Sequence, residues 1–356
     1  RPAAPVAIYF PRAQWLSGNK HYAPAYAYQL LLRAFGEADV VDEEMVREKG
    51  LGPVRALFLL GTEVLPDDIA AKLDAWVRAG GVLACDRIPE RNERGEPCRL
   101  PKELFAEARL PAAASPMAVG KAKVGAGQVW LFASSLDEAY HQAAEAPDEA
   151  VCRALMELVR KGLDEAGLRS RVRCDDPEVE AGVRLARNVA LLVLVNHRAD
   201  AARTRLTLGD LGFTPAFAAD AATGKAIPLK PLGKQAWALD VALPARVGQL
   251  VALWPARPAG VKVTAPAAAK RGAEFSYRVE VLDAAGKPAK GRHALAVSVV
   301  DPEGRERSRY GGAAATTDGV WTLRARLAAN AAPGTWRITA REGAAGKSAE
   351  AAFTVR

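Results

Sequence analysis

The chain has 356 residues, half of them hydrophobic, and its 49 Lys and Arg against 41 Asp and Glu leave a formal net charge of +8. Such a length carries two or three domains of about 100 to 200 residues each. No run of about 18 apolar residues occurs, which excludes a bilayer-spanning helix, and the opening RPAAPVAIYF lacks the charged-then-apolar order of a signal peptide.

That opening, which has no methionine, is expected to belong to a processed chain or to a piece of a longer one. VAIYF predicts a short apolar strand, and YAPAYAYQLLLRAFG has helical spacing that stops at Gly36. ADVVDEEMV predicts a second strand and VRALFLLG, Val54 to Gly61, a third. LPDDIAAKLDAWVRAGG predicts a helix with Pro66 and two aspartates in its first turn, an apolar side of Ile69, Leu73, Trp76 and Val77, and Gly80 as its stop. VLAC is the fourth strand and GQVWLFA a later one. EAVCRALMELVRKGLDEAGL predicts a closing amphipathic helix with Gly167 past its end. Strands alternating with helices imply a parallel sheet with crossover helices over 1–168.

After Arg169 the pattern turns to strands separated by turns: GVRLARN, VALLVLVNHR, TRLTL, TPAFAADAATGKAIPLKP and WALDVALPARVGQLVALWP. No long helix is expected, and the spacing predicts a small antiparallel β-domain over 169–256. PARPAG reads as a linker. From 257 to 356, EFSYRVEVLDAAGKPAKG, ALAVSVVDPEGRER and GVWTLRARL alternate apolar with charged residues between turns. This predicts a second β-sandwich of immunoglobulin-like size, without a Cys-Trp-Cys framework. These last hundred residues hold 17 Lys and Arg against 9 Asp and Glu, an excess equal to that of the whole chain. Arg305, Arg307, Arg309, Arg324 and Arg326 alternate along strand-like runs, the pattern of a solvated sheet face. A nucleic-acid partner, which would want clustered bases and stacking aromatics, is not expected.

Four cysteines, Cys85, Cys98, Cys152 and Cys174, permit two disulfides or four free thiols. His21, His141, His197 and His293 are scattered with no ligand spacing, so neither a metal nor any other cofactor is expected. His197, following Asn196, reads as the end of a strand. GKAKVGAG lacks a phosphate-binding pattern, and Lys121 and Lys123 read as a solvated turn.

VRALFLLGTEVLPDDIAAKLDAWVRAGGVLACDRIPERNERGE resembles the non-catalytic, amidotransferase-like trimerisation domain of glycoside hydrolase family 42 β-galactosidases and related glycosidases. The matching pieces are Leu57 to Gly61, Pro66 to Ala79, Gly80-Gly81 and Val82 to Glu96. KVGAGQVWLFA is similar to that family's Gly-rich turn and strand, and VALLVLVNHRADAARTRLTL to the opening of its C-terminal β-domain. The last segment resembles a macroglobulin-like or immunoglobulin-like domain through its GKP, DPEG and APGTW turns. The resemblance implies a multidomain chain: an α/β flavodoxin-like (class I glutamine amidotransferase-like) domain, then two all-β sandwich domains. It also implies an accessory role in self-association as a trimer or dimer, carbohydrate as a ligand, and a catalytic barrel upstream whose two glutamates match no residue here. The compartment stays open, with a periplasmic or secreted setting favoured.

Class I amidotransferases share this fold, and Cys85 falls where their nucleophile sits. Their nucleophile lies in a G-x-C-x-G elbow, whose glycines permit the strained turn; here Leu83 and Arg87 replace them. Asp86 opposes thiolate formation. A cysteine nucleophile also needs an imidazole held by a carboxylate. Ser134 and Ser135 stand near the place of the family's H-x-E motif, which leaves His141 as the base to consider. No catalytic residues are therefore expected, with Cys85 and His141 as the candidates of the alternative, a cysteine hydrolase. A second alternative is an extracytoplasmic protein whose basic last domain binds a polyanionic polymer. Among seven tryptophans, Trp76 and Trp130 read as core. Trp15, expected in a polar loop beyond the first strand, is the candidate for stacking on a ligand.

Overall fold

The structure, a computed structural model, describes residues 4–18, 25–110, 115, 117–145, 148–233 and 235–356. The chain is mostly β, with a smaller α/β region, and divides into two compact units, one ending at Gly182 and one running from Val183 to Arg356. His21 lies outside the described residues.

The first unit contains β1 (Val6–Tyr9), α1 (Arg12–Leu16), α2 (Ala25–Phe35), β2 (Asp39–Val41), α3 (Glu43–Lys49), β3 (Ala56–Leu59), α4 (Asp67–Arg78) and β4 (Val82–Cys85). It continues with β5 (Val119–Val124), β6 (Gly127–Phe132), α5 (Leu136–Glu145), α6 (Glu149–Glu165) and the short β7 (Val172–Cys174). Six strands form one sheet in the order β2-β1-β3-β4-β6-β5, parallel except for the antiparallel edge strand β5. Every residue of β1, β3 and β4 is buried. Helices cover both faces of the sheet, so these strands read as continuous apolar runs without alternation. On one face Ile8, Phe58, Ala84 and Trp130 pack with Leu30, Leu31, Tyr140, Leu155 and Val159 from α2, α5 and α6. On the other, Ala7, Tyr9, Leu57, Leu59, Leu83 and Cys85 pack with Val46, Ile69, Leu73 and Val77 from α3 and α4.

Two readings change here. The predicted second strand stops at Val41, because the Asp42 side chain accepts the Met45 N–H at 2.9 Å and caps α3. A cap satisfies a helix N–H that has no partner within the helix. Lys121 and Lys123, expected in a turn, lie on β5 instead. Lys121 stands 4.8 Å above the Trp130 ring and bonds Glu165 at 2.7 Å.

The second unit is built from antiparallel sheets, apart from one short parallel pairing of Ala268 and Ala269 with Thr354 and Val355. β8 (Val179–Ala186) carries the chain into it, followed by β9 (Val189–Asn196), β10 (Ala202–Leu208), β11 (Phe217–Asp220), β12 (Leu229–Gly233), β13 (Ala236–Leu243) and β14 (Gly248–Trp254). One sheet runs β11-β14-β9-β8, while β12, β13 and β10 are neighbours in another. The run TPAFAADAATGKAIPLKP is two strands, β11 and β12, because Asp220 turns the chain by accepting the N–H groups of Ala222 and Thr223. Asn196 ties down the end of β9, donating to the carbonyls of Asp200 and Pro244.

A further pair of sheets follows, from β15 (Gly260–Thr264), β16 (Ala268–Ala269), β17 (Glu274–Leu282), β18 (Ala294–Val300), β19 (Gly312–Ala315), β20 (Val320–Arg326), β21 (Gly334–Glu342) and β22 (Ser348–Val355). Their orders are β15-β17-β20 and β16-β22-β21-β18-β19. Tyr277, Val279, Val281, Val297, Val299, Trp336, Ile338 and Phe353 form the core between them. Arg324 and Arg326 are exposed on β20, opposite Ser276 and Glu274. Arg305 and Arg307 depart from the expected sheet face: both clamp the buried Asp301 carboxylate in a turn, at 3.3 and 2.5 Å.

Gly127 opens β6 where a Cβ would stand 2.1 Å from the Val77 carbonyl and 2.3 Å from that of Gly81. Both neighbours are backbone, so neither can rotate away. Gly127→Ala is expected to destabilise the first unit by about 2 kcal/mol or more in chemical denaturation, whereas an unchanged midpoint would mean that the close approach is absent in solution.

Candidate functional site at the strand ends of the α/β unit

The parallel strands end on one side in Phe10, Leu60 and Asp86. The strand order reverses between β1 and β3, since β2 lies on the far side of β1. In open α/β sheets the crevice outside such a reversal is where ligands bind, and it offers unpaired backbone N–H and C=O groups.

Here the chain's own side chain occupies that position. Gln14, on α1 and only 1% exposed, donates from Nε2 to the Gly61 carbonyl at 3.2 Å. Its Oε1 accepts the N–H groups of Glu63 at 2.6 Å and Val64 at 3.1 Å. One amide thus satisfies three backbone groups of the loop after β3. The helix that carries it is itself held by Glu43 of α3, whose buried carboxylate accepts the N–H groups of Arg12 at 3.1 Å and Ala13 at 2.9 Å. Burial, and then the facing Glu43 carboxylate, push the Tyr9 hydroxyl far up from its ordinary pKa.

Asp86 braces the next strand end. Its Oδ1 accepts the Gly61 N–H at 2.6 Å, while Oδ2 is buried with no hydrogen-bond partner. Burial raises the Asp86 pKa, opposed by the bond from Gly61 and the neighbouring Ser135. Beside it, Arg87 pairs with Glu63.

The two residues of the cysteine-hydrolase alternative lie on opposite faces of the sheet. Cys85 is fully buried in the cluster shared with α3 and α4. Burial, then the Asp86 carboxylate, holds its thiol well above the ordinary range, the reverse of an activated nucleophile. His141 is on α5, which packs with α2 and α6 on the other face. Its imidazole stacks on Tyr26 at 4.1 Å between centroids and pairs with Glu145 at 2.8 Å. Trp15 is 40% exposed and lies on α1 rather than in a loop, 6.3 Å from the Phe10 ring. None of the four cysteines is in a disulfide. Among the described residues no group of three His, Cys, Asp or Glu could hold a metal, and no helix is long and apolar enough to cross a membrane.

Sequence reasoning missed Gln14 and the bracing role of Asp86. A polar residue in the first turn after a strand is ordinary, and only the approach of a loop some 50 residues away makes it a clasp.

The sequence matches no model of a known protein family and no curated protein. The structure resembles solved glycosidases at low identity. A catalytic mutant of the GH42 β-galactosidase Gan42B from G. stearothermophilus matches with a TM-score of 0.49 and 14% identity, over 71% of this chain and 40% of that one. A β-galactosidase from Bacillus circulans sp. alkalophilus matches at 0.47 and 16%, over 70% and 41%. The α-L-fucosidase isoenzyme 2 from Paenibacillus thiaminolyticus matches at 0.46 and 12%, over 70% and 48%. The chain thus spans less than half the length of each of these proteins.

Two outcomes are expected in solution. In thiol titration of the native protein, Cys98 and Cys174, which are partly exposed, react first, and Cys85 and Cys152 react only on unfolding; rapid native alkylation of Cys85 would count against the buried placement. Because burial raises the Asp86 pKa above 3.8, the native state holds a proton that the unfolded chain has released just above that pH. This group's contribution to stability is therefore full below pH 3.8 and declines as pH rises through the raised value. Asp86→Asn keeps an acceptor for Gly61 and removes the buried charge. Its melting temperature relative to the parent should rise between pH 4 and pH 7, and a constant difference across that range would refute the assignment.

Proposed function

We propose that the chain is a non-catalytic accessory region of a glycosidase-like protein, serving self-association, carbohydrate binding or both. The observation that carries this reading is the Gln14 clasp. The crevice where an α/β domain of this kind would hold a substrate is closed by three hydrogen bonds from within. The strand order β2-β1-β3-β4 supports a flavodoxin-like, amidotransferase-like domain over 1–168. In this reading a β-domain over 169–256 and an immunoglobulin-like sandwich over 257–356 follow it. The resemblance of Leu57 to Glu96 to the trimerisation domain of family 42 enzymes supplies the glycosidase context. The opposite placement of Cys85 and His141 gives the cysteine-hydrolase alternative no support.

The self-association surface in this reading is the rim where α1, β2 and α3 meet. Arg12 of α1 pairs with Glu44 of α3, which makes the two helices neighbours, and β2 runs directly into α3. These elements expose Trp15, Leu16, Val40 and Met45, at 40, 66, 44 and 42%. Large apolar side chains grouped in this way on a surface mark interaction sites. Trp15 is also the side chain best placed to stack on a sugar.

Sedimentation velocity over a concentration series should show a dimer or trimer, and Leu16→Asp, at an exposed position, should shift it to monomer. A concentration-independent monomer of the parent chain would remove the self-association half. For the other half, Trp15→Ala should weaken binding of a galacto-oligosaccharide roughly tenfold, and no saccharide binding by the parent would remove it.

A further inference from the structure

The second unit contains a cavity of about 400 Å³ between the outer face of the β14–β9 sheet and the turn that follows β21. Its walls are apolar. Val189 and Leu191 of β9, Ala252 and Trp254 of β14, and Ala344 line it. The volume is within the range of roughly 300–1,000 Å³ usual for small-molecule pockets.

The floor is held rigidly. The Trp254 indole donates to the Arg292 carbonyl at 3.2 Å, and its ring lies parallel to that of His293 with centroids 5.8 Å apart. His293 and Glu342 are both fully buried, 3.7 Å from each other. Glu342 lines the cavity, but its oxygens accept the N–H groups of Ala344 at 3.0 Å and Ala345 at 2.6 Å, so it is spent on the turn. Arg184, whose Nη1 donates to the Val183 carbonyl at 3.0 Å, and the exposed Arg292 also contribute to the lining. Leu250 lies at the edge, 44% exposed.

An apolar interior with two arginines in its lining selects against a sugar, whose hydroxyls would find few partners on these walls and would be buried unbonded. We propose that this cavity binds a compact apolar molecule carrying one anionic group, of the class of medium-chain carboxylates. The apolar body packs on Leu191, Ala252 and Trp254, and the carboxylate meets Arg184 and Arg292 through charge-assisted hydrogen bonds. The site is independent of the strand-end crevice and of the accessory role proposed above.

Calorimetric titration of the full chain with octanoate, octanol and octylammonium below their micellar concentrations tests this. Octanoate is expected to bind at one site, roughly five- to tenfold more tightly than octanol and more tightly still than octylammonium. Arg184→Ala and Arg292→Ala should each bring octanoate down towards the octanol value, while Arg292→Lys should retain most of the binding. Leu250→Asp, at an exposed position that leaves the core intact, should weaken octanoate at least as much, and equal melting temperatures would show that these variants fold. The proposal is overturned if octanoate does not bind, if octanol binds as well, or if the folded variants bind octanoate like the parent.

Discussion

Parallel strands that end side by side leave backbone groups with no neighbour to bond, and the first unit is arranged around the amide that answers this need. Gln14 reaches across the reversal of strand order and takes both donors and acceptor of the loop after β3. It can do so only because Glu43 caps α1 from α3 and fixes the angle of that short helix. Five residues make too few internal hydrogen bonds to form a stable helix alone. The clasp, the cap and the exposed Trp15–Leu16 pair therefore form one cooperative construction: the bonds that close the crevice also present the apolar rim.

The second unit depends on a different solution. Trp254, His293 and Glu342 bring the ends of β14 and β21 together with the residue just before β18 in a buried cluster. Burial opposes ionisation of Glu342, but His293 and the amides of Ala344 and Ala345 outweigh it and hold the carboxyl below its ordinary range. Losing the turn amides would leave the Glu342 carboxylate buried without its hydrogen-bond donors, a cost that ties β21 to the turn that follows it. The apolar cavity is the space left beside that fixed arrangement.

How far these features can be read from the sequence follows from the range of the forces behind them. The core strands VAIYF, ALFL and VLAC and the closing helix Glu149–Glu165 are legible because burial on both faces, or on one stripe, writes itself into local periodicity. Helix α3 is not, since DVVDEEM carries an apolar run and a capping aspartate at once and the cap wins after three strand residues. The same holds for Asp301, whose neighbours Arg305 and Arg307 alternate as on a strand yet turn back onto one buried carboxylate. Cys85 is legible in position and misleading in chemistry: the strand end is where a nucleophile would stand, but the side chain's face depends on strand parity against helices far along the chain. Gln14, Asp86 and the His293–Glu342 pair are illegible for a common reason, because each acts on a partner brought near only by tertiary packing.

The sheet of the first unit also has two free margins among the described residues, and they are guarded differently. Along β5 the guard is charge, with Lys121 and Lys123 on the outermost strand. Along β2 it is brevity: three residues give an incoming chain too few N–H and C=O groups to extend the sheet. Copies meeting at this margin would have to join through the side chains of α1 and α3 rather than by adding strand to strand. A self-complementary contact between such side-chain surfaces closes at two copies, whereas strand addition offers a new edge with every copy. In the self-association proposed above, a three-residue strand would keep β2 from serving as a template for strand addition.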